Sequence, residues 1–170
     1  AVASMVDLVR GHDDPDLLLE AQAMEAIVAV LRGDPYDVDG LIERCVRHWG
    51  APSVEVGSRL AEVLVWTDRL DIAPSHLERA LDDAEQRGNL VALMNQLDQL
   101  ADACSRAGRW AEAEQHYERY IDLSLAAGGI TSVAPRHAEM AGLDAVRGRR
   151  EAAVSRLRLA VDTTRPATRL

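Results

Sequence analysis

RGNLVALMNQLDQLADACSRAGRWAEAEQHYERY, residues 87–120, is the stretch that decides the fold. Leu97, Leu100, Ala101 and Cys104 follow one another at helical steps, then comes Gly108, then Ala113, Tyr117 and Tyr120 at helical steps again. Apolar residues three and four apart share one helix face, and a glycine between two such runs ends the first helix and lets the chain reverse. The spacing predicts a helix over 89–107, a turn at Gly108 and a second helix over 110–127. The two helices form one hairpin.

The same layout recurs downstream as His137, Met140, Ala141 and Asp144, then Gly148, then Ala153, Leu157 and Ala160. This predicts helices over 132–147 and 149–163. Small residues at Ala101, Ala113, Ala141 and Ala153 allow the helices of a pair to approach closely, and Tyr117 and Leu157 are sized to fill the gap to the next pair. Upstream, Asp14 and Pro15 mark the start and Gly33 the stop of a helix over 15–32. Its apolar stripe is read as Leu17, Ala21, Met24, Val28 and Leu31. A second helix is predicted over 37–49, ending at Gly50. A third covers 53–70, with Leu60, Val63, Leu64 and Thr67 on one side. A fourth begins at a Ser75–Glu78 capping box and stops at Gly88. Residues 1–10 are expected to form a short leading helix. The breaks inside the pairs, read at Gly33, Asp71, Gly108 and Gly148, are 38, 37 and 40 residues apart. A nearly fixed period of this length marks a helical repeat, whose units stack because none can bury its apolar face alone. No stretch alternates with a period of two. The expected fold is all-α, a right-handed solenoid of about four helix pairs (units roughly 12–50, 52–88, 89–128 and 130–165) in a single domain, read as a piece of a larger protein.

Composition narrows the chemistry. All 19 basic residues of the 170 are Arg, so a P-loop lysine and Schiff-base catalysis are ruled out. There is no Phe, and the core has to be built from Ala, Leu and Val. Net charge is −9, which argues against a grip on nucleic-acid phosphates. The charge is uneven: residues 1–128 carry net −13 and residues 129–170 net +4. Cys45 and Cys104 show no metal-site spacing, which fits a reducing cytoplasm. No signal peptide or membrane span is read, and no membrane partner is expected.

The repeat layout resembles the tetratricopeptide pattern, with units longer than that family's 34 residues. It departs from the pattern in lacking a proline after Tyr120 and in having Leu97 or His137 where the family often has Trp. The wording of 87–120 also resembles the degenerate tetratricopeptide region of large actinobacterial MalT-like, ATP-dependent LuxR-type transcription factors. That resemblance implies a region flanked by an ATPase and a helix-turn-helix, which senses an inducer or self-associates. Related arrays also occur in other regulatory ATPases and in cyclase-linked proteins.

Residues able to perform a reaction are sparse. None of the sequence signatures of P-loops, nucleophile elbows, zincins or dinucleotide folds is present. The histidines (His12, His48, His76, His116 and His137) include no pair three or four apart that would suit a metal. His12-Asp13-Asp14 comes nearest to a ligand cluster, but Asp14 is already used as a helix cap. Asp82-Asp83 and Asp98/Asp102 are close in sequence, and Asp98 and Asp102, four apart, are read as sharing a solvated helix face. Cys104 is read as core, and Cys45 with His48 lacks the third group a catalytic dyad needs. Trp110, Tyr117 and Tyr120 are read as packing residues. Trp49 is read as half exposed at a helix end, and Trp66 as either core or lining for a groove.

In tetratricopeptide-like arrays the first helix of each pair lines the concave face. Mapping that rule gives Ala61, Val65, Asp68 and Arg69, then Asn95, Asp98, Asp102, Ser105 and Arg106, then Ala138, Gly142 and Ala145. The residues expected to contact a ligand or partner are Trp66, Arg69, Asn95, Asp98, Asp102 and Arg106. The function expected is a non-catalytic sensor or interaction domain of a bacterial, cytoplasmic regulator that takes a protein, a peptide or a small inducer and needs no cofactor or metal. The alternatives are a homo-oligomerisation scaffold, a tetratricopeptide-like domain of another regulatory ATPase or cyclase, and a small helical enzyme.

Overall fold

A computed structural model describes residues 4–49 and 54–164. Its elements are α1 (Met5–Val9), α2 (Pro15–Arg32), α3 (Val38–Trp49), α4 (Val54–Trp66), α5 (Ala73–Gln86), α6 (Leu90–Arg106), α7 (Trp110–Ala126), α8 (Ile130–Val146) and α9 (Arg150–Thr164), with no strand among the described residues. The chain divides into two compact units, Ala1–Gln99 and Leu100–Leu170. Contacts join α2 to α3, α4 to α5 and α8 to α9 in pairs, with α1 packed on α2, and the end of α6 shares a core cluster with α7. The expected Gly50 stop and the side chains of His48 and Trp49 lie outside the described residues.

One device ends most of the helices. Gly33, Asp68, Gly88, Gly108, Gly128 and Gly148 all have left-handed backbone, with φ between 58° and 78°. The amide of the residue after each of them donates to the carbonyl five residues back, at 2.8 Å or 2.9 Å. This closure satisfies a carbonyl that the helix end would otherwise leave without a partner. From Asp68 onward these residues are 20 apart, so the breaks inside the last three hairpins recur every 40 residues.

That register corrects the sequence reading of the second hairpin. Helix α4 stops at Trp66 rather than 70, and its break is at Asp68 rather than Asp71. An aspartate here does what glycine does elsewhere, because a short polar side chain tolerates the left-handed region. The capping box is corrected too. Helix α5 starts at Ala73 with Pro74 in its first turn, and Ser75 Oγ donates back to the Ile72 carbonyl at 2.9 Å instead of capping. Proline preset to helical φ draws the start upstream of Ser75. In α2 the Asp14 carboxylate accepts the amides of Asp16 and Leu17 as expected. The buried residues of α2, however, are Leu19, Ala21, Ala23, Ala26 and Ile27, whereas Val28 and Leu31 are exposed. Because α2 is apolar almost all round, steps of three and four do not single out one face.

In the first unit Leu41, Leu60, Leu64 and Leu77 are fully buried, and Cys45 lies in the same core. In the second unit Ala101, Cys104, Ala113, Tyr117, Val133 and Met140 form one cluster. Alanine at Ala101, Ala113, Ala141 and Ala153 is buried as the sequence predicts, so close helix approach replaces aromatic bulk at interior density. Trp110 and Leu157, both expected to pack inside, are exposed.

Candidate functional site

The first helix of each of the last three hairpins turns one row of residues away from the core. Counted back from the break, the row is Trp66, Glu62 and Ser58 on α4, Arg106, Asp102 and Asp98 on α6, and Val146, Gly142 and Ala138 on α8. All nine are exposed or half-buried, as the i, i+4, i+8 spacing of a single helix face requires. The three-residue error at Asp71 explains why the sequence mapping of the second hairpin missed this row. Ala61 and Val65, mapped to the face, are buried, and the residues three positions earlier are the ones exposed or half-buried.

In the first unit the row includes Trp66 and Asp98, with the exposed Asn95 three residues before Asp98 on α6. Gln99 Nε2 donates to Ser58 Oγ at 3.3 Å and links α6 to α4, and Glu62 pairs with Arg59 at 3.3 Å. Arg69 is placed differently. It follows the break, and its Nη2 lies 2.8 Å from Asp39 Oδ1, tying the hairpin turn to α3. In the second unit the row includes Asp102 and Arg106 of α6 and the exposed Ala138 and Gly142 of α8, with the half-buried Ser105 and the exposed Ala145 next to it in sequence. Burial pushes the Asp102 carboxyl above the usual carboxylate range, opposed by the charges of Arg106 and Arg136. The Arg136 guanidinium lies 5.2 Å from the Tyr120 ring centroid, a cation–π contact that holds it beside α7. A methyl group at Gly142 would meet nothing within 4 Å, so a partner backbone can come close there. The first unit thus offers an indole and a carboxylate on this side of its helices, and the second unit a carboxylate, a guanidinium and bare backbone, groups that suit hydrogen bonding and packing against a polypeptide.

Other chemistry-bearing groups do not converge on this face. Burial raises the Cys45 thiol to about 11, against a weaker lowering by Arg44. Burial also lowers His76, helped by Arg79, and His137, helped by Arg156. Among the described residues, no three His, Cys, Asp or Glu side chains come together as a metal site would require. No helix among them is long and apolar enough to cross a membrane.

Two features escaped the sequence reading. One is an open cleft of about 280 Å³ between α2 and α3, lined by Pro15, Leu18, Leu19, Gln22, Arg44 and Arg47. Arg44 Nε donates to Gln22 Oε1 at 3.0 Å, and Tyr36 donates its hydroxyl to the Gln22 carbonyl at 3.0 Å. The only sequence signal for it was a pair of arginines three apart. The other is an ionic cluster in the second unit. Glu114 Oε2 accepts from Arg147 at 2.7 Å and from Arg149 at 2.9 Å, while its Oε1 accepts from Arg156 at 2.9 Å. Asp144, buried at the position Cys104 holds one repeat earlier, lies 2.5 Å from Arg149 and 2.9 Å from Arg156. An acid in a core position, followed five and twelve residues later by arginines, was the available signal.

The tetratricopeptide repeat family matches residues 54–126. No curated protein matches the chain. Among solved structures, the crystal structure of MamA superposes with a TM-score of 0.58 at 17% identity, covering 96% of each chain. At that identity the likeness carries the fold: the chain is an all-α, tetratricopeptide-like helical solenoid, and such repeats serve protein–protein interaction.

Proposed function

We propose that this chain is a non-catalytic interaction domain that holds a segment of a partner protein on the exposed side of its first helices, the residues concerned being Trp66, Asn95 and Asp98 in the first unit and Asp102 and Arg106 in the second. The observation that supports this reading most is the row itself. Positions that repeat every 40 residues stay exposed or half-buried on successive first helices while their neighbours are core. The polar part on α6 would fix the register of a bound segment, and the small residues of α8 would admit its backbone. The resemblance of residues 87–120 to MalT-like, LuxR-type regulators is what supports reading the domain as part of a cytoplasmic bacterial transcription regulator, where binding would shift the balance between two states of the parent protein. Arg69, bonded to Asp39, would support the row's geometry rather than touch the partner.

The test uses peptides selected by phage display on the wild-type chain. Asp98→Arg combined with Arg106→Glu should weaken the selected peptides tenfold or more while leaving the helical signal and melting transition in place. Unchanged affinity in a folded double variant would exclude the row as the binding face. A second reading, a small inducer, is favoured by the α2–α3 cleft, where leucines and a proline lie beside Arg44 and Arg47. An apolar carboxylate is the ligand such a lining suits. Arg44→Ala should abolish its binding and leave peptide binding intact.

A further inference from the structure

The wall of the α2–α3 cleft carries a positive charge whose partners among the described residues are neutral. Arg44 is half-buried; its Nε donates to Gln22 Oε1 at 3.0 Å, and its guanidinium also hydrogen-bonds the Tyr36 hydroxyl. Arg59, Arg109, Arg149 and Arg156 are half-buried too, and each has a carboxylate oxygen within 3.3 Å. The carboxylates of the first hairpin are bonded elsewhere. Asp14 caps α2, Glu25 accepts the Val6 amide and the Ser4 hydroxyl, and Asp37 accepts the Gly40 amide. Asp39 pairs with Arg69, and Glu43 lies 3.6 Å from Arg47. Asp16, Glu20 and Asp34 are not among the residues that line the cleft. A guanidinium withdrawn from water is stabilised by an anion, and a carboxylate matches its planar fork.

The opposite wall is aliphatic, made by Pro15, Leu18 and the buried Leu19 of α2. Gln22 stands where the two kinds of lining meet. Its side chain holds Arg44, while its backbone carbonyl accepts the Tyr36 hydroxyl at 3.0 Å. Arg47 lines the cleft beside Arg44, and its pair with Glu43 is solvent-exposed on both sides and therefore weak. A group the size of a water takes about 30 Å³ of liquid volume, so a cleft of about 280 Å³ holds roughly nine of them. We propose that the cleft takes an aliphatic carboxylate of about six to eight carbons as the counter-ion of Arg44, with Gln22 positioning the guanidinium. This rests on the second reading above, in which the cleft holds a small inducer, and adds what selects that ligand. The first unit is acidic as a whole, but exposed charges beyond about 8 Å are largely screened at physiological ionic strength. The two lining arginines therefore set the local field. A bound acid touches both walls, so it stabilises the hairpin in which α2 and α3 are docked.

The experiment titrates octanoate and octan-1-ol into the wild type, Arg44→Ala and Gln22→Glu by calorimetry, with thermal melts alongside. Octanoate should bind the wild type saturably and raise its melting temperature, and octan-1-ol should bind at least tenfold more weakly. Gln22→Glu keeps the shape of the side chain and gives Arg44 a carboxylate of its own. It should bind octanoate at least tenfold more weakly than the wild type and leave the affinity for octan-1-ol unchanged, a selective loss that a merely structural role would not produce. If Gln22→Glu loses its melting transition, Gln22→Leu replaces it; without the positioning bond it should weaken octanoate at least fivefold and spare octan-1-ol. Octan-1-ol binding as tightly as octanoate, or octanoate binding the folded Gln22 variant as tightly as the wild type, would overturn this inference and leave the small-inducer reading standing. Neither probe binding the wild type, or both binding Arg44→Ala as tightly as the wild type, would remove that reading and this inference with it.

Discussion

Arg156 Nε donates to Asp144 Oδ2 at 2.9 Å, and that carboxylate is only 1% exposed. The same guanidinium reaches Glu114 on α7 through Nη2. One side chain of the last helix thus joins the core of its own hairpin to the second helix of the hairpin before it.

Removing that guanidinium leaves a buried carboxylate with Arg149 as its remaining ion pair. Breaking a buried pair costs about 3–5 kcal/mol, and because Arg149 stays, Arg156→Met should fall at the lower end. Arg158→Met, on the exposed side of α9, should change stability by no more than about 0.5 kcal/mol. Urea denaturation of both variants checks the contrast.

Acid should weaken the cluster. Burial would raise the Glu114 carboxyl, but hydrogen bonds and charges from Arg149, Arg147 and Arg156 outweigh it and hold the folded value below the usual glutamate range. A folded value below the unfolded one means that the ionised form contributes stability above the ordinary glutamate pKa, and that this contribution fades as pH falls through the lower folded value. Glu114→Gln should therefore be less stable than wild type near neutral pH, and the gap should close as the solution is taken below the ordinary glutamate range. Melting temperatures of the two proteins across that range test the sign.

The left-handed break at Asp68 predicts an asymmetry between substitutions. Asp68→Gly keeps the conformation without a Cβ penalty and should leave stability within about 1 kcal/mol of wild type. Gly108→Ala forces a Cβ into φ 76° and should cost about 1–2 kcal/mol. Thermal melts followed by circular dichroism compare them.

How much was legible in the sequence follows from these same residues. Glycine breaks at Gly33, Gly108 and Gly148 could be read because glycine supplies left-handed backbone at no steric cost. Asp68 could not, since aspartate is common in turns and helix starts alike, and Asp71 was an equally good candidate. That one ambiguity moved the second hairpin by three residues and placed the buried Ala61 and Val65 on the exposed face. Asn95, Asp98, Asp102 and Arg106 are exposed or half-buried on α6, as read, because their hairpin was anchored by Gly108. Asp144 was aligned with Cys104 in the repeat layout, but its arginine partners come from a turn and a neighbouring helix, and a one-dimensional pattern does not show such convergence. The exposure of Leu157 was invisible for a related reason. The sequence repeats the core position faithfully, and only the structure shows that nothing among the described residues covers it.

The thiols should be inert in the folded protein. Cys45 is buried with its thiol raised to about 11, and Cys104 is buried in the second unit. At mildly alkaline pH neither should react with a maleimide until denaturant is added, after which both should label. Rapid labelling of the native protein, followed by mass spectrometry, would show that one of the cores opens.

The most direct test of the interaction reading places a photo-crosslinking amino acid at Ala138, on the exposed row of α8, and in a second protein at Leu159, on the outer side of α9. With a display-selected peptide bound, the Ala138 probe should capture it in high yield and the Leu159 probe should capture none. Capture at Leu159 with none at Ala138 would contradict the claim that partners bind along the first helices.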